Sequence, residues 1–418
     1  MLITKAPKGT EDLLPDESYR WHYLEENFKR VCDNFGYKEI RMPTFEHTEL
    51  FERGVGDTTD VVQKQMYTFS DKKDRSVTLR PEGTASVARS FLENSIYAKP
   101  MPMKAFYNIP CFRYENSQKG RLREFHQFGI EAFGAKNPTI DAEVISLAIT
   151  FLKRVGLNDL TVHINSIGCP ECRKKFNDAL KEFLRPKLSK LCGTCAERFE
   201  RNPLRILDCK SEICQQEVKG APVILDYLCD ECNEHFEGLK KNLDLLGIEY
   251  EVDSGIVRGL DYYTKTVFEI ISGPFTVCGG GRYDGLVEQF GGDATPAIGF
   301  GLGIERLLIR LDELNVTIPD ENKIDLYVVP LGENAAEYAQ KLVFKLRSEG
   351  VNTETDHMGR GLKPQMKYAD KIGARHTLVL GDNEIESGIF KIKNMHTGEQ
   401  SEVKADNIVE FFTVEKGK

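Results

Sequence analysis

The chain has 418 residues, 40% of them apolar and 29% charged, with a formal net charge of -9 and 11 cysteines. That length suggests two or three domains, and the acidic balance excludes a wholesale nucleic-acid coat while leaving room for a local basic surface. No apolar run is long enough to span a bilayer and the opening Met-Leu-Ile-Thr-Lys-Ala-Pro-Lys has no apolar signal core. A cytoplasmic protein with no membrane partner is expected, its thiols reduced or metal-bound rather than cross-linked.

Asp16 is placed to cap a helix with Trp21, Leu24, Phe28, Val31 and Phe35 at helical spacing, which Gly36 ends. Residues 37–42 read as a strand stopped by Pro43. Residues 66–69 and 76–79 read as short strands leading into Arg80-Pro81-Glu82-Gly83-Thr84 and a helix with Val87, Phe91 and Leu92 inward. Glu82 thus lies at a strand-to-helix junction, where backbone amides are exposed and function concentrates. Residues 104–111 and 127–133 form a long hairpin around a polar, basic loop from Arg113 to His126. Asp141 caps a periodic helix (Val144, Leu147, Phe151, Leu152, Val155) closed by Gly156, and 160–164 returns as a strand.

From about 169 to 246 charged helices are interrupted by cysteine pairs, the pattern of an insertion. The strand pattern resumes at Val252, runs through Arg258 to Glu269 and the peptide Gly279-Gly280-Gly281-Arg282-Tyr283-Asp284-Gly285, and ends in Ala297 to Arg306. A helix with Leu307, Leu308 and Leu311 follows. Residues 319–323 read as a linker. Beyond it, strands at 324–329, 351–355, 377–380 and 390–393 alternate with helices at about 335–348 and 364–373, a small α/β domain.

The chain contains no P-loop, and Gly299-Phe300-Gly301-Leu302-Gly303 has the wrong spacing for a dinucleotide fingerprint. Instead Arg113, Arg258 and Arg306 stand at element boundaries in separate parts of one antiparallel sheet. Converging, they would grip a polyanion, each charged contact contributing roughly 1.5 to 3 kcal/mol. Glu82, Glu115 and Glu131, with Thr84 and Gln127, supply acceptors, so the ligand would carry both ammonium and carboxylate. The competing readings are a surface cation for each arginine, a helix cap for Glu82 and a sheet-edge charge for Glu131. On a strand Tyr262 and Tyr263 point to opposite faces, so only one of them should share the cavity of Arg258.

Residues 36–43 resemble the dimer-interface motif of class II aminoacyl-tRNA synthetases. Phe112-Arg113-Tyr114-Glu115, with the loop to Phe125, resembles their second motif, and 299–306 resembles their third. Arg258-Gly259-Leu260-Asp261-Tyr262-Tyr263 and the glycine-rich peptide at 279–285 are similar to the two signature peptides of the histidyl-tRNA synthetase family, bacterial type. The match is collinear over nearly the whole chain, residues 78–84 included.

The resemblance implies an α+β fold. A class II antiparallel sheet flanked by helices would occupy residues 1–320, with a helical insertion at about 169–246 and a C-terminal α/β anticodon-binding domain at 324–418. It further implies a homodimer that uses ATP with Mg2+ to activate L-histidine as the adenylate, then passes it to the 3' end of tRNA(His). Carried over by position, Glu82, Gly83, Thr84 and Gln127 would hold the α-amino end of histidine. Glu131 and Tyr263, with Tyr262 beside them, would reach the imidazole. Arg113 and Arg258 would act in catalysis on the carboxylate and α-phosphate; Glu115 and Phe125 would hold adenine, and Arg306 the triphosphate. Loss of a fixed cation such as Arg258 lowers rates by roughly 100- to 1000-fold. Pairing both imidazole nitrogens implies rejection of apolar competitors on the order of 10,000-fold, which leaves no need for an editing site in the insertion. Gln118, Lys119, Arg121 and Arg123 would meet the acceptor end of the tRNA, chiefly through phosphate.

Cys169-x-x-Cys172 and Cys192-x-x-Cys195 stand 19 residues apart, compatible with a four-cysteine zinc site. Cys209, Cys214, Cys229 and Cys232 allow two sites or a different pairing. Reduced thiols without a metal are the favoured reading, because the family's general pattern needs no such ion. The alternative for the whole chain is a non-catalytic, histidine-sensing regulatory paralogue, which would need neither an intact Arg258 peptide nor an anticodon-reading domain. Another ATP-dependent acid-activating enzyme of related fold would not call for Glu131 with Tyr263.

Overall fold

The computed structural model describes residues 4–56, 59–209, 211–320 and 323–416; of the linker expected at 319–323, Glu321 and Asn322 lie outside the described residues. The chain forms two compact units, Met1–Ile318 and Pro319–Lys418.

The first unit contains strands β1 (Lys38–Glu39), β2 (Phe45–His47), β3 (Tyr67–Ser70), β4 (Ser76–Leu79), β5 (Met103–Phe112), β6 (Glu124–Phe133), β7 (Leu160–Ser166), β8 (Glu251–Val252), β9 (Thr264–Ser272), β10 (Phe275–Arg282) and β11 (Ala297–Gly303). Eight of them make one sheet in the order β1-β5-β6-β11-β10-β9-β7-β8, and β2-β4-β3 make a second. The large sheet is antiparallel except at its edges, where β1 joins β5 and β8 joins β7 in parallel. Alternation decides its two faces. Phe128, Ile130 and Ala132 of β6 and Ile298, Phe300 and Leu302 of β11 enter one core with the helices Pro15–Asn34, Thr139–Arg154, Asp230–Leu245 and Ile304–Glu313. Phe28 stacks on Phe128 at 4.4 Å and meets Phe151 edge-on at 5.1 Å. Each such buried side chain contributes ~1.5 to 3 kcal/mol. Gln127, Gly129 and Glu131 fall on the opposite face, as do Gly299, Gly301 and Gly303.

Several local expectations are corrected. The first helix begins with Pro15, whose fixed φ and missing N–H suit that position; Asp16 lies in the first turn and caps nothing. Asp141 is likewise no cap. It is wholly buried in the first turn of its helix and binds Arg282. The strand expected to run unbroken from Val252 breaks after β8, and residues 253–263 are turns in which Arg258 takes φ +41°. Residues 37–42 shrink to the two residues of β1.

Within 169–246, the helices Pro170–Leu184, Gly193–Arg201 and Glu212–Glu217 surround a small core of Phe176, Leu180, Leu184, Phe199, Ile206 and Ile224. The last helix, Asp230–Leu245, instead packs Phe236, Leu239 and Leu243 into the main core.

The second unit contains β12 (Leu326–Pro330), β13 (Thr353–Thr355), β14 (His376–Leu380), β15 (Ile389–Asn394) and β16 (Gln400–Lys404), in the order β13-β12-β14-β15-β16. The first three are parallel and the last two antiparallel. Leu326, Val328, Leu342, Leu346, Leu378 and Phe390 form its core. The sequence pattern missed β16 and the helices Asp382–Ser387 and Ile408–Lys416. Among the described residues, no helix is long and apolar enough to cross a membrane.

Candidate active site

The polar face of the large sheet is built on glycine. The register pairs Tyr107 with Gly129, Gly129 with Gly301, Gly301 with Gly279 and Gly279 with Glu269, so three glycines cross the middle of the sheet between a tyrosine and a glutamate. Side chains lie flat where a Cβ would stand. A Cβ on Gly279 would sit 2.5 Å from the Arg258 guanidinium, one on Gly301 2.1 Å from the Gln127 amide, and one on Gly299 1.9 Å from the Glu131 carboxylate. Above this floor opens a cavity of about 580 Å³.

One end of the cavity is acidic. Glu131 lies wholly buried beneath it and accepts hydrogen bonds from Thr84 Oγ1 (2.7 Å), Tyr107 Oη (3.0 Å) and Tyr283 Oη. Burial pushes its carboxyl up to about 8, with the charge of Glu82 adding to the effect and the three hydroxyl donors opposing it. Because β6 lies between β5 and β11, the sheet-edge reading of Glu131 fails. Glu82 lines the cavity and also accepts N–H bonds from Thr84 (2.7 Å) and Ala85 (2.8 Å) at the start of the helix Thr84–Glu93, so it caps a helix and faces the ligand space at once. Burial raises its pKa against the pull of those amides. Gly83 beside it leaves room for the Tyr107 ring, 2.4 Å from where its Cβ would be.

Tyr262 and Tyr263 both line the cavity, their rings 4.7 Å apart. The expectation that only one would face it fails because they precede β9 and strand alternation does not govern them. Tyr262 Oη donates to Glu82 at 3.5 Å.

The rest of the cavity gathers cations, Arg113, Arg121, Arg205, Arg258 and Arg306, with Glu115, Glu269 and Glu305 among them. Arg113 donates Nε–H to the Pro81 carbonyl (2.8 Å), spreads over the Phe125 ring (5.3 Å) and stands 3.9 Å from Glu115. Arg306 donates to the Gly120 carbonyl at 3.1 Å. Burial, then the charge of Arg121, lowers the Arg306 pKa, with Glu115 opposing them and Arg113 adding to the fall. Arg258 is ion-paired with Glu269, and its buried Nε has no hydrogen-bond partner among the described residues. Burial opposes its charge, but Tyr263 and Glu269 outweigh that and raise its pKa.

In the hairpin loop Gln118 and Lys119 are exposed, Lys119 pairing with Glu313 at 2.9 Å. Arg121 instead turns to Glu115 (3.6 Å), and Arg123 packs on the Tyr114 ring (3.8 Å) and donates to the Glu115 carbonyl. Tyr107, Tyr283 and Glu269 were missed in the sequence, as was the fully buried pair of Arg282 with Asp141, which also accepts from Thr266 (2.6 Å) and His235 (2.8 Å). Tyr283 stood inside the glycine-rich peptide, and Tyr107 shares its strand face with Ile109 and Cys111; nothing local marked either as a partner of Glu131.

The family model described as Histidyl-tRNA synthetase matches residues 9–307, and that described as Anticodon binding domain matches 325–415. The chain belongs to the histidyl-tRNA synthetase family. It is 57% identical over 412 residues to a histidine--tRNA ligase of Acetivibrio thermocellus, covering 98% of this chain and 99% of that one. A histidine--tRNA ligase of Clostridium novyi is also 57% identical, over 98% and 99% of the two chains. Among solved structures, apo Staphylococcus aureus histidyl-tRNA synthetase matches with a TM-score of 0.84 at 42% identity, covering 98% of this chain and all of that one.

Proposed function

We infer that the chain activates L-histidine with ATP, forming histidyl-adenylate and diphosphate, and transfers the histidyl group to the 3' end of tRNA(His). The observation that carries this reading is a single cavity over a glycine floor, with Glu82 beside the two tyrosines and five arginines, Arg113, Arg121, Arg205, Arg258 and Arg306, along the rest of its wall. A histidine zwitterion spans it, ammonium toward Glu82, Thr84 and Gln127, imidazole toward Glu131 and the tyrosines. The histidine carboxylate is already ionised, so no general base is needed. One of its oxygens attacks the α-phosphorus of ATP, a P–O bond forms, and the bond to the diphosphate breaks. Arg258 and Arg113 stabilise the charge gathering on the α-phosphate, Arg306 holds the departing diphosphate, and Phe125 with Glu115 seats adenine. ATP would arrive as its magnesium complex, and the carboxylate oxygens of Glu269 and Glu305 in the same cavity would be the ligands for that ion. In the second half-reaction a ribose hydroxyl of the tRNA attacks the activated carbonyl and AMP leaves.

The exposed Gln118 and Lys119 suit the acceptor end, and residues 324–418 read the anticodon. A homodimer is supported by Phe45 and Phe69, large apolar side chains left exposed on β2 and β3. A sensing paralogue would not need five arginines around one cavity. Amino-acid-dependent ATP–pyrophosphate exchange tests the reading. Exchange with histidine alone is expected; exchange with another amino acid, or none, overturns it.

A further inference from the structure

The eight cysteines of residues 169–232 gather into two tetrads: Cys169, Cys172, Cys229 and Cys232, and Cys192, Cys195, Cys209 and Cys214. In each, all four sulfurs lie within 4.8 Å of one another. The pairing is not the one the two nearest Cys-x-x-Cys motifs suggested: the first motif joins the last, across the whole insertion. We propose that each tetrad binds one zinc ion as a tetrathiolate, giving two structural zinc sites per chain.

The spacing favours an ion over packed thiols. Cys169 and Cys172 sulfurs stand 3.5 Å apart and those of Cys192 and Cys209 3.8 Å. A disulfide needs about 2.05 Å, whereas a tetrahedron of sulfurs with zinc–sulfur bonds of about 2.3 Å has edges of about 3.8 Å. Sulfurs this close enclose a single ion, with no room for a multi-iron cluster. Backbone N–H groups already point at the sulfurs: Cys229 N–H to Cys172 Sγ (3.1 Å), Cys192 N–H to Cys214 Sγ (3.2 Å) and Ser211 N–H to Cys209 Sγ (3.5 Å). Such donors favour thiolate, the form that binds metal. Two of the three cross from one half of a tetrad to the other. Each tetrad also alternates half-exposed and buried members, so an ion has a way in.

The fold around them needs a clip. The helices Gly193–Arg201 and Glu212–Glu217 are short, and their shared core is small; modules of this size commonly rely on a metal. The first tetrad closes the root of the insertion beside β9, where Lys265 N–H bonds the Gly168 carbonyl (2.9 Å) and Lys265 Nζ bonds Glu231 (2.9 Å) between two of the ligands. The second braces the segment whose Asn202 holds Asp261 (2.9 Å) and whose Arg205 holds the Gly259 carbonyl (2.9 Å), next to Arg258. These ions position the Arg258 loop; they take no part in the chemistry.

Elemental analysis of the full chain, purified without chelator, should find two zinc ions per chain, and Cys172→Ser and Cys195→Ser should each retain one. Should those variants fail to fold, titration of the chelated wild-type chain with cobalt(II) replaces them: two equivalents with the visible spectrum of tetrahedral thiolate coordination are expected. Metal-free protein whose folded thiols all react with a thiol reagent overturns the proposal, as does iron in place of zinc or a cobalt spectrum of oxygen coordination. A stoichiometry of one overturns the second site.

Discussion

Arg258 occupies the left-handed region at φ +41°, which side chains with a Cβ seldom adopt, so its placement is held by its surroundings. Gly279 lets the guanidinium lie on the sheet, and Glu269 fixes its direction. Arg258→Ala should therefore lower the rate of histidine-dependent pyrophosphate exchange by roughly 100- to 1000-fold with little change in melting temperature; exchange near the wild-type rate would refute its role. Glu131 presents a different balance. Its carboxyl titrates near 8 in the fold, well above an unfolded glutamate, so the stability it contributes is complete below about pH 4.3 and is lost as pH rises through 8. Glu131→Gln keeps the shape and removes the titration. The variant should gain on wild type by roughly 2 to 4 °C or more in melting temperature between pH 5 and pH 9 without ligand, while losing selectivity for histidine; a difference independent of pH would contradict the raised pKa. The ends of this site were legible in the sequence because glycine beside arginine, and glutamate at a strand-to-helix junction, are local signals. Tyr107 on β5 and Tyr283 just past the end of β10, which complete the Glu131 pocket, lie far from it along the chain, and only the folded sheet brings them together.

At the level of elements, neighbouring glycines of β10 have opposite duties. A Cβ on Gly279 would meet the tip of the flexible Arg258 side chain, whereas one on Gly280 would stand 2.2 Å from the backbone carbonyl of Gly299. Gly279→Ala should thus fold with near wild-type stability and lose activity as the guanidinium is displaced. Gly280→Ala should lower the melting temperature, because β10 and β11 must move apart. Thermal melts beside pyrophosphate exchange separate the two, and equal destabilisation by both would break the distinction. The strands 76–79, 104–111 and 127–133 were readable because periodicity is strong where one face is core. The segment 253–263 was not, since Ile256 and Val257 enter packed cores and Tyr262 and Tyr263 line the cavity from irregular backbone, and β16 was too polar and exposed to show a pattern. Asp141 looked like a cap from its place at a helix start. Its actual partner, Arg282, lies far along the chain, where no local signal reaches.

Each unit of the molecule buries an apolar set of its own, Phe28, Phe128 and Phe300 among the first, Leu326, Leu378 and Phe390 among the second. Every residue lining the cavity belongs to the first unit, and the anticodon-binding match begins at residue 325. On the function proposed above, adenylate chemistry and tRNA selection draw on separate parts of the chain. A chain ending at Ile318 should keep histidine-dependent pyrophosphate exchange within a few-fold of the full chain. Its kcat/KM for charging tRNA(His) should fall on the order of 100-fold, the loss of roughly 2.7 kcal/mol of tRNA binding, and with it the preference for tRNA(His) over tRNAs with other anticodons. Loss of exchange in a well-folded fragment would mean that the second unit supports the chemistry itself. Undiminished, anticodon-selective charging would mean that selection resides in the first unit, with the exposed Gln118 and Lys119 the nearest groups able to make it.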